Sequence, residues 1–313
     1  VTVDLDEFFR ETLVPWAHGI LEAQDYLDEL ESGKVPGWRL GLSSLDKYVR
    51  FVPREFVVIG ARSGTGKTAL GMQLVENVAR QMIAAGDNGL IAVFSAEMDS
   101  RTLALRTACG LEGVGLWALQ SGKATKEEIA RVRACLGSMV QWPFVVDQSS
   151  APTLEHMVEQ LAIYASDRPI RMVLFDYLEL SGEMDKSESL RIAKVSRGLK
   201  AIAKHFDTTV LGIAQMNRDI ESRIKKRPMM SDLMQGGERE PDRIILLVRE
   251  SMFEDGDAGP DDADVVKVYI VKNRNAPPAD VALLFDGQRM RFRSAVIDEQ
   301  EIDERIDEGK RYD

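Results

Sequence analysis

The chain has 313 residues, 44% of them hydrophobic, enough to bury one large core, or a core with a small appendage. No apolar run approaches the roughly 18 residues of a membrane span, and the first residues, VTVDLDEFFR, carry neither a basic nor an apolar leader region, so a soluble protein that is not exported by its own signal is expected. A net charge of −11 argues against a surface that coats nucleic acid throughout and confines any phosphate contact to local basic loops.

In chain order, residues 1–34 carry helical periodicity interrupted at Pro15 and read as one or two helices outside the main core. VPGWRLGL then marks a boundary. After it, strands at Phe56–Ile59, Leu90–Phe94, Phe144–Val146, Met172–Phe175 and Val210–Ile213 alternate with helices near 67–85, 98–109, 126–137, 153–166 and 188–206. That alternation predicts an α/β fold with a mainly parallel sheet flanked by helices. From Arg243 the helical pattern stops, and RIILLVRE, DVVKVYIVKN, DVALLFDG and RMRFRS predict antiparallel strands that extend the sheet. The expected domains are a helical segment 1–34, a main domain 35–296 and an acidic, solvated tail 297–313. Cys109 and Cys135 have no metal-ligand spacing and read as buried, reduced thiols of a cytosolic protein. The scattered His18, His156 and His205 suggest no zinc site.

ARSGTGKT, Ala61–Thr68, lies between an apolar strand and a helix. A Gly-rich turn there points successive backbone N–H groups at one place, and the helix N-terminus adds its positive dipole, so that place suits a phosphate. The expected nucleotide-binding set is Ser63, Gly64, Thr65, Gly66, Lys67, Thr68 and Ala69, with Lys67 on the β and γ phosphates and Thr68 on Mg²⁺. Ala61 stands where the strict pattern has glycine, which the broader pattern permits. Three further groups end apolar strands at the edge where open α/β sheets bind ligands. Asp176 is placed to orient Mg²⁺, Glu97 to accept a proton from attacking water, and Gln215 to sense the γ-phosphate. Lys272 and Arg274 follow DVVKVYIV two residues apart, with no acidic neighbour evident in the sequence. They are either solvated strand-end cations or a clamp for a transferring phosphate.

LGLSSLDKYV, ARSGTGKTAL, FSAEM, LFDYLEL, VSRGLKAIAKHFDTTVLGIAQMNR, KKRPMMSDL and VKNRNAP occur in an order and spacing that resembles the RecA-like motor domain of DnaB-type replicative helicases. The likeness covers about residues 40–293, and KRPMMSDL is its most family-specific string. It implies a RecA-like P-loop ATPase that uses ATP and Mg²⁺ in a bacterial or phage-infected cell. It further implies a ring, usually hexameric, that moves 5′ to 3′ on single-stranded DNA, with a primase or a helicase loader as candidate partners. By the same resemblance Lys272 and Arg274 reach the γ-phosphate held by an adjacent subunit, Arg274 as the arginine finger. Segment 20–34 resembles the family's linker helix, which packs on a neighbour; a helix folded back on its own domain is the other reading. The sequence leaves no room for the family's N-terminal helical domain, which implies a minimal or a trimmed chain.

For DNA, MNRDIESRIKKRPMMSDL is the most basic stretch, and Arg218, Arg223, Lys225 and Lys226 are candidate phosphate contacts. The next segment resembles the family's pore loop and adds Gln235, Gly236 and Gly237. Met234 stands where the family commonly has arginine, with Arg239 as a replacement cation. Two other functions remain open on the sequence: a RecA-like recombinase filament, and a non-motor ATPase that acts as a nucleotide-dependent switch or loader.

Overall fold

The computed structural model describes residues 14–295, apart from 219, 221–222, 224–226, 234–237 and 253–262. Helix α1 (Trp16–Glu31) comes first. A small hairpin of β1 (Trp38–Arg39) and β2 (Arg50–Phe51) follows, enclosing α2 (Ser43–Asp46). The alternating part then runs β3 (Phe56–Ala61), α3 (Lys67–Ala85), β4 (Leu90–Ser95), α4 (Ser100–Glu112), α5 (Leu116–Gln120), α6 (Lys126–Met139), β5 (Phe144–Asp147), α7 (Leu154–Ala165), β6 (Ile170–Asp176), α8 (Glu188–His205) and β7 (Thr209–Gln215). The last four strands are β8 (Arg243–Arg249), β9 (Ala263–Asn273), β10 (Ala279–Asp286) and β11 (Arg291–Ser294). Among the described residues one sheet of nine strands forms, in the order β11-β10-β9-β8-β3-β7-β6-β4-β5.

The central strands are continuous apolar runs because both faces of the sheet are covered. Every residue of β3 and β4 is buried. One face receives α3 through Leu70, Leu74, Val78 and Met82. The other receives α7 and α8 through Leu154, Val158, Val195 and Leu199. Helix starts fall where side chains can accept the orphan N–H groups of a first turn: Asp99, Thr125, Thr153 and Ser187 cap α4, α6, α7 and α8. Cys109 and Cys135 are free and buried in a small separate cluster between α4 and α6.

The expected strand–helix alternation is present, with α5 as an addition. One expectation is corrected. Strand β8 does not begin the antiparallel extension on both sides: it runs parallel to β3, Val57 opposite Arg243, and antiparallel only to β9. Periodicity marks a strand but not its direction, and residues 216–242 are long enough to carry the chain back to the other end of the sheet. No helix among the described residues is long and apolar enough to cross a membrane.

No residue of α1 is buried. Trp16, Leu21 and Leu27 on it are exposed, and Glu22 meets Arg54 of the main domain at 3.3 Å in an ion pair open to solvent.

Candidate active site

The carboxyl ends of β3, β7, β6 and β4 lie side by side. Ala61 is level with Gln215 and Ser95 with Asp176, so one edge of the sheet carries the loop after β3, Glu97 after β4, Asp176 and Gln215. The loop is shaped by two glycines in left-handed conformation, Gly64 (φ 82°) and Gly66 (φ 95°). At Gly66 a Cβ would also stand 2.9 Å from Phe285 Cζ, so neither the backbone nor the space allows a side chain. Thr65 is buried and its hydroxyl donates to Met252 Sδ at 3.6 Å, while Arg249 Nη1 donates to the Gly64 carbonyl at 3.3 Å. Ser63 and Gly64 stay exposed. Helix α3 begins at Lys67, and its first amides, those of Lys67, Thr68 and Ala69, have no carbonyl partner inside the helix. The Lys67 ammonium lies 5.5 Å from the Tyr177 ring centre.

Asp176 is 2% exposed, and neither carboxylate oxygen has a hydrogen-bond partner of good geometry. Burial raises its carboxyl to about 6; the nearby Thr68 hydroxyl and Lys67 charge oppose that rise, and Glu97 adds to it. A buried carboxylate without a hydrogen-bond partner, with the Thr68 hydroxyl near it, offers the oxygen donors that Mg²⁺ takes together with phosphates and water, so the residues present fit Mg²⁺. Glu97 is exposed on the turn that Ser95 closes by bonding both ways with Met98.

Two residues of this edge had no assigned role in the sequence reading. Glu179 accepts the Gln215 N–H at 2.8 Å through Oε1. Its Oε2 is buried without a partner, and burial raises its carboxyl. Arg106 of α4 helps line a cleft with Thr68, Met72, Met98, Leu103 and Met290, and its buried Nε has no partner. Arg106 lies nine residues after Glu97 in an ordinary helical stretch, so only the fold reveals it.

Lys272 and Arg274 lie at the opposite edge of the same sheet. Asn273 is level with Arg243 and Arg243 with Val57. From Val57 to Ala61 the strand alone rises roughly 13 Å, and the loop adds to that, so neither cation reaches its own chain's phosphate site. Lys272 Nζ donates to the carbonyls of Glu238 and Arg239 at 3.2 and 2.9 Å; burial, then the charge of Arg274, lowers its pKa. The absence of an acidic neighbour is corrected here: Arg274 Nη1 stands 3.3 Å from Asp242 Oδ1, a residue distant in sequence.

Of the DNA candidates, Arg218 and Arg239 are exposed. Arg223 donates to the buried Asp232 through both terminal nitrogens, Nη1 at 2.7 Å, which turns it toward the protein. Lys225, Lys226, Gln235, Gly236 and Gly237 lie outside the described residues.

The pattern of the DnaB-like helicase C terminal domain matches residues 37–294. The chain belongs to that family. Among curated relatives of this DnaB-like domain are the replicative DNA helicase DnaB of Geobacillus stearothermophilus, 26% identical over 87% of this chain and 60% of the relative, and that of Haemophilus influenzae, 31% identical over 87% and 58%. The chain thus spans about 60% of the length of the relatives it matches. Its fold is similar to a solved structure described as an ATPase domain, with TM-score 0.79 and 22% identity over 91% of this chain and all of that one. It is also similar to a DnaB-like replicative helicase solved to show its interactions with primase, with TM-score 0.77 and 24% identity over 86% of this chain and 66% of that one.

Proposed function

We propose that this chain is the ATP-hydrolysing motor of a DnaB-type DNA helicase, a cytoplasmic protein that works as a ring, hexameric by family resemblance, and moves along single-stranded DNA 5′ to 3′. One observation carries the reading: the phosphate-binding groups and the Lys272–Arg274 pair sit at opposite edges of one sheet. A surface with one half of a site at each end is completed head to tail, and such a contact forms a ring where the rotation between copies closes and a filament where it does not; the family resemblance favours the ring. The exposed apolar residues of α1 support a further contact with a neighbour.

Within each site the Gly64–Thr68 amides and Lys67 bind the triphosphate, and Arg106 adds a cation from α4. Thr68 and Asp176 would hold Mg²⁺, which would neutralise charge on the phosphates. Glu97, free in solvent at the end of β4, accepts the proton of the attacking water. Gln215, its backbone anchored by Glu179, orients its amide toward the terminal phosphate. Arg274 of the adjacent subunit, with Lys272 beside it, stabilises the charge that spreads over the transferring group. DNA contact is proposed for Arg218 and Arg239, and by the sequence pattern for Lys225, Lys226 and Gln235–Gly237. Primase or a loader is a candidate partner.

The test is ATP hydrolysis with and without single-stranded DNA, for the parent, for Arg274→Ala, and for Arg274→Ala mixed with Lys67→Ala. DNA should stimulate the parent, and the mixture should recover activity absent from either variant alone, because Lys67→Ala subunits lend their fingers to intact loops. No stimulation and no recovery would favour a nucleotide switch that is not a motor.

A further inference from the structure

Asp242 begins the turn into β8, is 5% exposed, and is built into the floor of the sheet. Its Oδ2 accepts the Phe56 N–H at 2.8 Å and Lys200 Nζ at 2.6 Å. Its own N–H donates to the Phe56 carbonyl at 2.8 Å. Phe56 is completely buried at the start of β3, and Lys200 is itself held by the Arg54 carbonyl at 2.8 Å. The carboxylate plane is therefore fixed from one side by a rigid strand and a helix. The other oxygen, Oδ1, faces outward to Arg274 Nη1 at 3.3 Å, and the Asp242 carbonyl accepts the Arg274 N–H at 3.2 Å.

Arg274 is thus gripped twice by one residue, once at its backbone and once at its tip, while its side chain remains 55% exposed. A guanidinium carries several donors in a planar fork. The ion pair with Asp242 holds one end of the fork near a fixed carboxylate and leaves the other donors free. Without that grip a long side chain on a turn samples many rotamers, and ordering it on a phosphate costs free energy at each turnover.

We propose that Asp242 is a positioning residue for Arg274, presetting the guanidinium that one subunit offers to the nucleotide of the next. This inference rests on the trans-acting reading of Arg274 given above. Asp242 touches no nucleotide in its own subunit: it lies at the edge of the sheet remote from the loop after β3.

The experiment is steady-state ATP hydrolysis by Asp242→Asn, an isosteric change that keeps an acceptor for the Phe56 N–H. It is read at chain concentrations where sedimentation shows the same assembly as the parent. The expected result is a kcat lower by about 10- to 100-fold, the scale of a misaligned group, with KM for ATP within about threefold. In an Arg274→Ala background Asp242→Asn should lower kcat no further, because both remove one function. Mixing Asp242→Asn with Lys67→Ala subunits should restore hydrolysis, since the latter carry correctly held fingers. If Asp242→Asn does not fold, Asp242→Glu replaces it in the same assays: it keeps the charge facing Lys200 but displaces the grip by one methylene.

A kcat within twofold of the parent overturns the proposal. So does a loss that Lys67→Ala subunits do not restore while they do restore Arg274→Ala, for then Asp242 acts inside its own subunit. If neither variant is restored, the trans reading itself falls, and the proposal falls with it.

Discussion

Two constraints of different origin meet at Gly66: its φ of 95°, and Phe285 and Phe292 standing 2.9 and 3.0 Å from where a Cβ would be. Gly66→Ala is expected to cost on the order of 1–3 kcal/mol, from left-handed strain and overpacking together, and to abolish nucleotide binding. Urea unfolding and titration with a fluorescent nucleotide would show it. Adding Phe285→Leu should return part of the stability and none of the binding, because the backbone strain remains. Full recovery of both would mean that φ is not limiting. Glu55 makes a residue-scale prediction of another kind. It is buried, ion-paired to Arg243 and bonded by Asn275 at 2.8 Å, yet burial outweighs these partners and raises its carboxyl to about 6 from 4.5. A carboxyl whose folded pKa is raised contributes stability that is complete below the unfolded value and is lost as pH rises through the folded one. Between pH 4.5 and 6 this group therefore loses roughly 2 kcal/mol of stability as the pH rises. Urea midpoints of the parent and Glu55→Gln, taken across that window, should converge toward low pH; parallel curves would remove Glu55 as the cause.

Between elements, Glu179 ties the turn after β6 to the end of β7 by accepting the Gln215 N–H at 2.8 Å. Glu179→Ala leaves that amide without its acceptor. It should cost about 1–3 kcal/mol in urea unfolding and lower hydrolysis, while Glu179→Gln, which keeps the acceptor and removes the buried charge, should recover stability. Equal losses in the two variants would show that charge, not the bond to Gln215, is what matters. The sequence makes this scale legible unevenly. Helix α3 and the strands from β3 to β7 are visible in it because apolar periodicity and capping residues are local signals. Lys67, Asp176, Glu97 and Gln215 could be picked out because each follows such a strand. The direction of β8 was not legible, since it depends on which edge of β3 remained free. Nor were Glu179 and Asp242, whose partners Gln215 and Arg274 come from other elements, or Arg106, which lines one cleft with Thr68 of another helix. A pair written two residues apart, Lys272 and Arg274, could be seen as cations but not as lying at the far edge of the sheet.

For the whole molecule, the proposed function, with half a site at each edge of one sheet, makes hydrolysis a property of contact between chains. On the proposed reading the loop, Asp176 and Glu97 bind and activate within one chain, whereas Arg274, at the far edge of the sheet, serves a neighbour. Binding and turnover should therefore separate on dilution. As the chain concentration falls through the range where sedimentation shows the ring dissociating, nucleotide affinity should change little, while hydrolysis per chain should drop toward the level of Arg274→Ala. The rate should rise more steeply than linearly with chain concentration in that range, because each working site needs two chains. A bimolecular site also makes Arg274→Ala insensitive to dilution, since it has no finger to lose. Hydrolysis per chain that stays constant down to fully dissociated chains would mean that one subunit holds a complete site. The two edges of the sheet would then have no catalytic reason to meet.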